Sequence, residues 1–342
     1  MDEFDLIKKY FTPLASDKAA LGLKDDAAIV KVPEGHELVV TKDAIVEGVH
    51  FIGDESPDLI ARKLLRVNLS DLAAMGAKPY GYFLALMLPK TVNEDWIKAF
   101  ASGLQGDQNE FGITLLGGDT VATGGALSMS ITAMGFVPAG KALKRSGAKA
   151  GDDIYVTGTI GDAAIGLRIV SGGTLPPSAL CAASPAKSSY STPPRPHANA
   201  EEYLIERYRL PQPRVKFGQL LQGIATSCID ISDGLMQDLG HIAECSNVGA
   251  TIDWNKIPLS EAAKRILPEI PNHYEAIAAG GDDYELLFTT ASSDAETLNK
   301  LAERSNVKIT FIGKIQMDGD VKLLHDSGKE INLGKKGFKH FC

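Results

Sequence analysis

Along the chain, apolar residues switch repeatedly between the spacing of a helix face and the alternation of a strand. Residues 2–10 predict an amphipathic helix. Residues 38–40 begin a strand that ends in the polar cluster Thr41-Lys42-Asp43. Ser56-Pro57-Asp58 is a helix start: a capping hydroxyl, proline at the first position, then an acid near the positive end of the dipole. The helix it opens turns Ile60, Leu64, Val67 and Leu72 inward and ends near Gly76, with Pro79 close behind. Residues 80–88 read as a buried strand, Glu94–Phe111 as a helix, and Leu115-Leu116 as the lead into Gly117-Gly118-Asp119. Residues 127–137 alternate like a strand, with Met129, Ile131, Ala133 and Gly135 on one face.

A boundary is expected around residues 140–151, rich in Gly, Ala and Lys, after which Asp153–Thr157 opens a second α/β unit. Residues 171–200 are dominated by Ser, Pro and Ala. That composition buries little apolar area and predicts a mobile surface insertion. The pattern resumes with a helix over 200–208, the strand-turn Cys228-Ile229-Asp230, a helix over 235–245, and strands over 284–290 and 307–312. Strands and helices mix throughout, with neither heptads nor a strict short repeat.

The length of 342 residues suggests about two domains. Hydrophobic residues make up 44% and charged residues 23%, enough for a real core. A net charge of -8 argues against a nucleic-acid or anionic-membrane binder, which needs a basic face. It leaves room for one anionic ligand, because a metal ion inverts the local charge. The acidic, amphipathic start is not a signal peptide, and no run approaches the ~18 apolar residues of a membrane span. Cys181, Cys228, Cys245 and Cys342 form no C-x-x-C pair, which fits a reducing cytoplasm rather than zinc or a disulfide framework.

Carboxylates beside apolar anchors carry the candidate chemistry. Asp25-Asp26, Asp43 and Asp71 form the first set. Asp71 sits in an otherwise apolar helix, where an acid is a poor choice unless it is paired or on a metal. Pairing with Arg66 or Lys78, or capping a nearby loop, is an equal alternative. Gly117-Gly118-Asp119-Thr120 permits close backbone approach and offers a hard oxygen ligand, though in isolation a tight turn explains it better. In Asp230-Ile231-Ser232-Asp233-Gly234, two acids and a hydroxyl converge on a strand end before a helix. That arrangement suits Mg2+ and phosphate better than a simple helix cap. Gly280-Gly281-Asp282-Asp283-Tyr284-Glu285 suits a loop that recognises a cationic or hydroxyl-bearing ligand, the alternative being a solvated turn. Residues 135–142, G-F-V-P-A-G-K-A, approach the phosphate-loop pattern. Ala142 lacks the needed hydroxyl and Pro138 removes an amide donor, so that reading is rejected. His50 and Arg145 by themselves read as structural and solvated.

In order, T-K-D-A-I-V-E-G-V-H-F, N-L-S-D-L-A-A-M-G-A-K-P, L-G-G-D-T, R-S-G-A-K-A-G-D, I-D-I-S-D-G-L and G-G-D-D-Y-E-L resemble the thiamine-monophosphate kinase family, in the superfamily of aminoimidazole ribonucleotide synthetase. The resemblance spans nearly the whole chain apart from residues 171–200. It implies an α/β (α+β) fold of two α/β domains. Residues 1–140 would be the ATP- and Mg-binding and dimerisation domain, its strands closing an intersubunit β-barrel in a homodimer. Residues 141–342 would be the second domain, carrying the insertion. The implied reaction moves the γ-phosphoryl of ATP onto thiamine monophosphate, the last step of thiamine diphosphate biosynthesis. ATP is the co-substrate with several Mg2+ ions, and the family pattern also allows a monovalent cation.

By motif, the resemblance puts Asp26, Thr41, Lys42, Asp43, Asp71, Asp119, Asp230 and Asp233 around metal. It puts Phe111, Gly118, Asp119, Arg145 and Ser232 on ATP, and His50, Asp282 and Phe338 on the thiamine substrate. No covalent nucleophile is implied. Lys42 departs from the family's usual Thr, Asp282 from its usual Glu, and Phe338 keeps an aromatic face without a hydroxyl. Two other classes compete: an ATP-dependent ligase of the synthetase type that releases free phosphate, and a nucleotide sensor that binds Mg-ATP without turnover. Selenophosphate synthesis is disfavoured, since the first cysteine is Cys181.

Overall fold

The computed structural model describes residues 3–172 and 198–338; the core of the Ser/Pro/Ala-rich insertion lies outside the described residues. The chain divides into two compact units. Among described residues the first holds 3–72 and 77–140, and the second holds 73–76, 141–172 and 198–338.

The first unit opens with α1 (Glu3–Leu6), which continues as a π-helical turn over Ile7–Phe11 instead of a uniform helix. It then runs β1 (His36–Val46), α2 (Pro57–Ala74), β2 (Lys78–Pro89), α3 (Glu94–Phe111), β3 (Thr114–Thr123) and β4 (Ser128–Pro138). The sheet order is β1-β4-β2-β3, antiparallel except for the parallel β2–β3 pair. β1 is much longer than its apolar start suggested. Thr41, Lys42 and Asp43 do not end the strand but pair with Ala133, Thr132 and Ile131 of β4. Likewise Gly117-Gly118-Asp119 lies inside β3, paired with Phe83, Leu84 and Ala85, and is not a tight turn.

One sheet face is core, with Tyr82, Leu84, Leu86, Met129, Ile131 and Ala133 all buried. α2 buries Leu64, Leu65, Leu69 and Leu72, and its Asn68 Oδ1 accepts the Asp43 N–H at 3.0 Å. An ion-pair network ties α2 to α3: Arg66 donates from Nε and Nη2 to Asp107 at 2.8 and 2.9 Å and reaches Glu110 at 2.8 Å. The opposite sheet face leaves apolar side chains in solvent, among them Leu38, Val40 and Val121 at 38%, 54% and 45% exposure.

The second unit contains β5 (Asp153–Thr157), α4 (Asp162–Val170), α5 (Ala198–Arg209), α6 (Val215–Leu220), β6 (Ala225–Asp230), α7 (Leu235–Ser246), β7 (Gly249–Asp253), α8 (Glu261–Ile266), α9 (His273–Ala278), β8 (Leu286–Thr290), α10 (Ala295–Ser305), β9 (Ile309–Gln316) and β10 (Val321–Leu324). Its sheet order is β10-β7-β9-β5-β8-β6, with only β10–β7 parallel among the described strands. Ile154, Val156, Ile229, Leu239, Ile242, Ile252, Leu287 and Ile312 belong to one apolar cluster. β8 begins two residues later than expected because Tyr284 takes a left-handed backbone, φ 51°, which a strand cannot include. No helix among the described residues is long and apolar enough to cross a membrane.

Candidate active site

In the first unit, a cavity of about 440 Å³ is lined by Asp25, Asp26, Lys42, Gly118, Asp119 and Thr120, among others. Gly118 is a close-approach position: a Cβ there would lie 2.0 Å from the Leu84 carbonyl oxygen, so only glycine lets β3 carry Asp119 to this place. Lys42 donates to Ser130 Oγ at 2.9 Å. Strand alternation turns its ammonium to the face opposite Thr41 and Asp43. Its positive charge therefore sits in a cavity also lined by three carboxylates, and does not point into the Thr41/Asp43 group.

That second group lies where β1 meets α2. Thr41 Oγ1 donates to Asp71 Oδ2. The Thr41 hydroxyl is thus one partner of Asp71, and Arg66 pairs with Asp107 and Glu110. His50 Nδ1 accepts the Val46 N–H at 3.1 Å, which places the ring proton on Nε2. Its carbonyl accepts from Lys63 Nζ at 2.9 Å. Phe111 ends α3 with Arg66 over its ring at 5.1 Å, and it does not line the cavity.

In the second unit, β6 delivers Asp230 buried at its end, and the chain turns through Ser232 and Asp233 into α7. Asp238 in the first turn of α7 fixes this loop by accepting the N–H groups of Asp233 and Gly234 at 3.1 and 3.0 Å. Ser232 and Ile231 carbonyls accept the N–H groups of Asp282 and Tyr284, both at 2.8 Å. Phe338 N–H donates to the Asp233 carbonyl at 3.0 Å. Asp230, Ser232, Asp233, Asp282 and Phe338 are thus brought together through main-chain bonds. Arg145 is exposed, and its charge acts on Asp238.

The G-G-D-D-Y-E segment splits by role. Asp282 and Tyr284 hold left-handed φ values of 69° and 51°, a strain that persists only where anchors over-determine it. The anchors are Asp283 and Glu285, both buried, so these two acids are structural and not part of a ligand-facing triple. Asp283 accepts from Gly161 N–H at 2.7 Å and Ala163 N–H at 3.3 Å, capping α4. Burial pushes its carboxyl well above the ordinary 3.8. Glu285 accepts from Arg214 Nε and Nη2, both at 2.6 Å, from Arg207 Nη2 at 2.9 Å and from Thr157 Oγ1 at 2.7 Å. Burial alone would raise its carboxyl, yet Arg214 and then Arg207 carry it below its usual value.

The donor sets suit a hard cation. Carboxylate and hydroxyl oxygens, several of them solvent-facing, are what Mg2+ takes while keeping part of its water. Asp233, Asp238 and His241 also bring one ligand atom each within 4.8 Å of one another. Burial and the neighbouring negative charge of Asp233 push the Asp238 carboxyl up to about 7.

The AIR synthase related protein, N-terminal domain, matches residues 24–137, and the corresponding C-terminal domain matches residues 149–326. A thiamine-monophosphate kinase of Escherichia coli is 41% identical, covering 99% of this chain and 98% of its own length. The chain belongs to the thiamine-monophosphate kinase family. A crystal structure of a thiamine-monophosphate kinase from Stenotrophomonas maltophilia is 40% identical with a TM-score of 0.79, covering 97% of this chain and 98% of that one. AaThiL complexed with AMPPCP and TMP is 29% identical with a TM-score of 0.74, covering 99% and 96%. In this member of the thiamine-monophosphate kinase family, Asp238, His241, Gln237, Arg207 and Arg214 were not singled out from sequence. Asp238 and His241 had a local signal, a three-residue spacing on one helix face just after S-D-G. Gln237 had the same kind of signal, four residues past Asp233, while its bond to Phe338 and the bonds of the arginines to Glu285 span 71 to 101 residues and had none.

Proposed function

We propose that this chain transfers the γ-phosphoryl group of ATP to the phosphate of thiamine monophosphate, giving thiamine diphosphate and ADP. The observation that carries this reading is identity of 38–41% to thiamine-monophosphate kinases over 99% of the chain. The AMPPCP and TMP complex of a structural relative supports the same pair of substrates.

We assign Asp26, Asp43, Asp71 and Asp119, with Thr41 and the Lys42 backbone, as metal ligands in the first unit, and Asp230 and Asp233 in the second. Bound Mg2+ would neutralise the phosphate charges and orient the transferring group. Gly118, Arg145 and Ser232 are assigned to ATP, and His50, Asp282 and Phe338 to the thiamine substrate. Phe111, covered by Arg66, is retained as an adenine contact only through the family pattern. The acceptor phosphate is itself a nucleophile, so the residues need only position both anions in line, and no phosphoenzyme is required. Lys42 fits this role: its ammonium sits in the acidic cavity and offsets the charge of an incoming phosphate.

Residues 1–140 and 141–342 are proposed as the dimerisation and second domains of a cytoplasmic homodimer whose first-unit sheets close an intersubunit barrel. The exposed apolar side chains of Leu38, Val40 and Val121 on one sheet face support a partner there. A coupled ADP assay with thiamine monophosphate against thiamine tests the function. Turnover is expected only with the monophosphate, without free phosphate, and nearly abolished in Asp71→Asn. Release of free phosphate favours the ligase class instead, and a trapped phosphoenzyme refutes direct transfer.

A further inference from the structure

α7 also carries Gln237, four residues past Asp233. Gln237 Nε2 donates to Asp233 Oδ2 at 2.8 Å and to the Phe338 carbonyl at 3.1 Å. One amide group therefore bridges Asp233 and Phe338, the latter 101 positions along the chain from Gln237. The Phe338 N–H closes the loop on the Asp233 carbonyl at 3.0 Å. The chain beside Phe338 lies flat on the same side chain: a Cβ on Gly337 would sit 2.5 Å from Gln237 Cβ and Oε1. Glycine is thus required for the approach, and the contact combines packing with three hydrogen bonds.

In residues 325–338, Ile331 and Leu333 pack against the apolar cluster and the Ile331 N–H bonds the Leu323 carbonyl at 2.8 Å, all of it well before Phe338. Past β10 the described chain contains only short turns, an isolated bridge from Leu324 to Glu330, and no helix or further strand. An aromatic on such a segment has a wide range of positions unless something fixes it, and each position lost is an entropy cost at binding. A fixed ring meets its ligand already ordered.

We propose that Gln237 is a positioning residue that clips the carboxy-terminal aromatic Phe338 to the Asp233 loop, and so sets the affinity for the thiamine moiety. This rests on the reading of Phe338 as a substrate contact. In this role Gln237 is assigned no contact of its own with either reactant. It acts by holding Phe338 in register with the loop that bears Asp233, so that the ring and the phosphate-binding end of the site keep one spacing. A conventional helix-surface glutamine would have no such consequence.

The test uses Gln237→Met, which keeps the length and packing of the side chain but removes its donors, alone and combined with Phe338→Ala. The expected result is a KM for thiamine monophosphate raised about five- to tenfold, the worth of one or two hydrogen bonds. The turnover number, the KM for ATP and the Mg2+ concentration for half-maximal rate should stay within about twofold, as expected for lost ground-state binding. In the Phe338→Ala background the same change should have no further effect, and amide exchange at Phe338 should quicken in the single variant. A Gln237→Met enzyme with an unchanged KM for thiamine monophosphate, while Phe338→Ala raises it, overturns the clip alone. A shift confined to the Mg2+ or ATP dependence also overturns it, since Gln237 would then serve Asp233 only. An unchanged KM in Phe338→Ala removes the substrate contact beneath the proposal and overturns both.

Discussion

Replacing Glu285 with Gln tests how the Asp282 loop is held. The carboxylate is fully buried, and it accepts three bonds from two guanidinium groups and one from Thr157. Arg207 is itself buried, with its Nε 3.9 Å from Asp162 as a weaker pairing. Three charge-assisted bonds at about 1.5–3 kcal/mol each set a gross ceiling of about 5–9 kcal/mol. An amide of the same shape keeps one acceptor oxygen but turns an NH2 toward the arginine donors. The expected net loss is about 3–5 kcal/mol, the usual result of removing one partner from a buried ionic group. The two tryptophans are Trp96 in the first unit and Trp254 in the second. Urea unfolding followed by fluorescence in a Trp96→Phe background therefore reads the second unit alone. A lower midpoint with an unchanged slope is expected. A loss below about 1 kcal/mol would refute the idea that the carboxylate is what holds the arginines and the strained loop. The pH dependence gives a second reading. Glu285 has its pKa lowered from 4.5 in the folded chain, so its contribution is complete above that value and is lost as pH falls through the folded value. Asp283, raised well above 3.8, acts in the opposite sense: its contribution is complete below 3.8 and is lost as pH rises through its folded value. Glu285→Gln should remove the first of these limbs and leave the second.

Asp107→Ala takes from the buried Arg66 the carboxylate that accepts from both its Nε and Nη2, while the pair to Glu110 at 2.8 Å stays. A cost of about 3 kcal/mol is expected, read as a fall of roughly 10 °C in the first-unit melting transition by calorimetry. Val40→Asp puts a charge on the exposed apolar sheet face. Light scattering should show dissociation of the proposed dimer, with the far-UV spectrum of the fold unchanged.

Periodicity located most elements within a few residues, because the apolar faces of α2, α3, α7 and β4 are continuous and need no distant partner to be recognised. It misjudged β1 and β3. Thr41-Lys42-Asp43 and Gly117-Gly118-Asp119 look like strand ends and turns, and they stay in strands only because neighbouring strands supply their hydrogen bonds. The candidate carboxylates were legible, since an acid beside an apolar run is conspicuous. Their separation into buried, paired acids and the rest was not. Asp282, Asp283 and Glu285 are near neighbours in sequence, yet one sits half-buried on a strained turn, one caps α4 and one binds two arginines. Lys42 had the wrong charge for its motif until strand alternation turned it away from Thr41 and Asp43 and toward Ser130. Sequence by itself determined the family, the element types and the inventory of acids, because each is written in local spacing. Which acid is buried and ionically paired and which is not was decided only by the tertiary structure, because burial and ionic pairing depend on partners such as Arg207 and Arg214 that the chain brings back from far along its length.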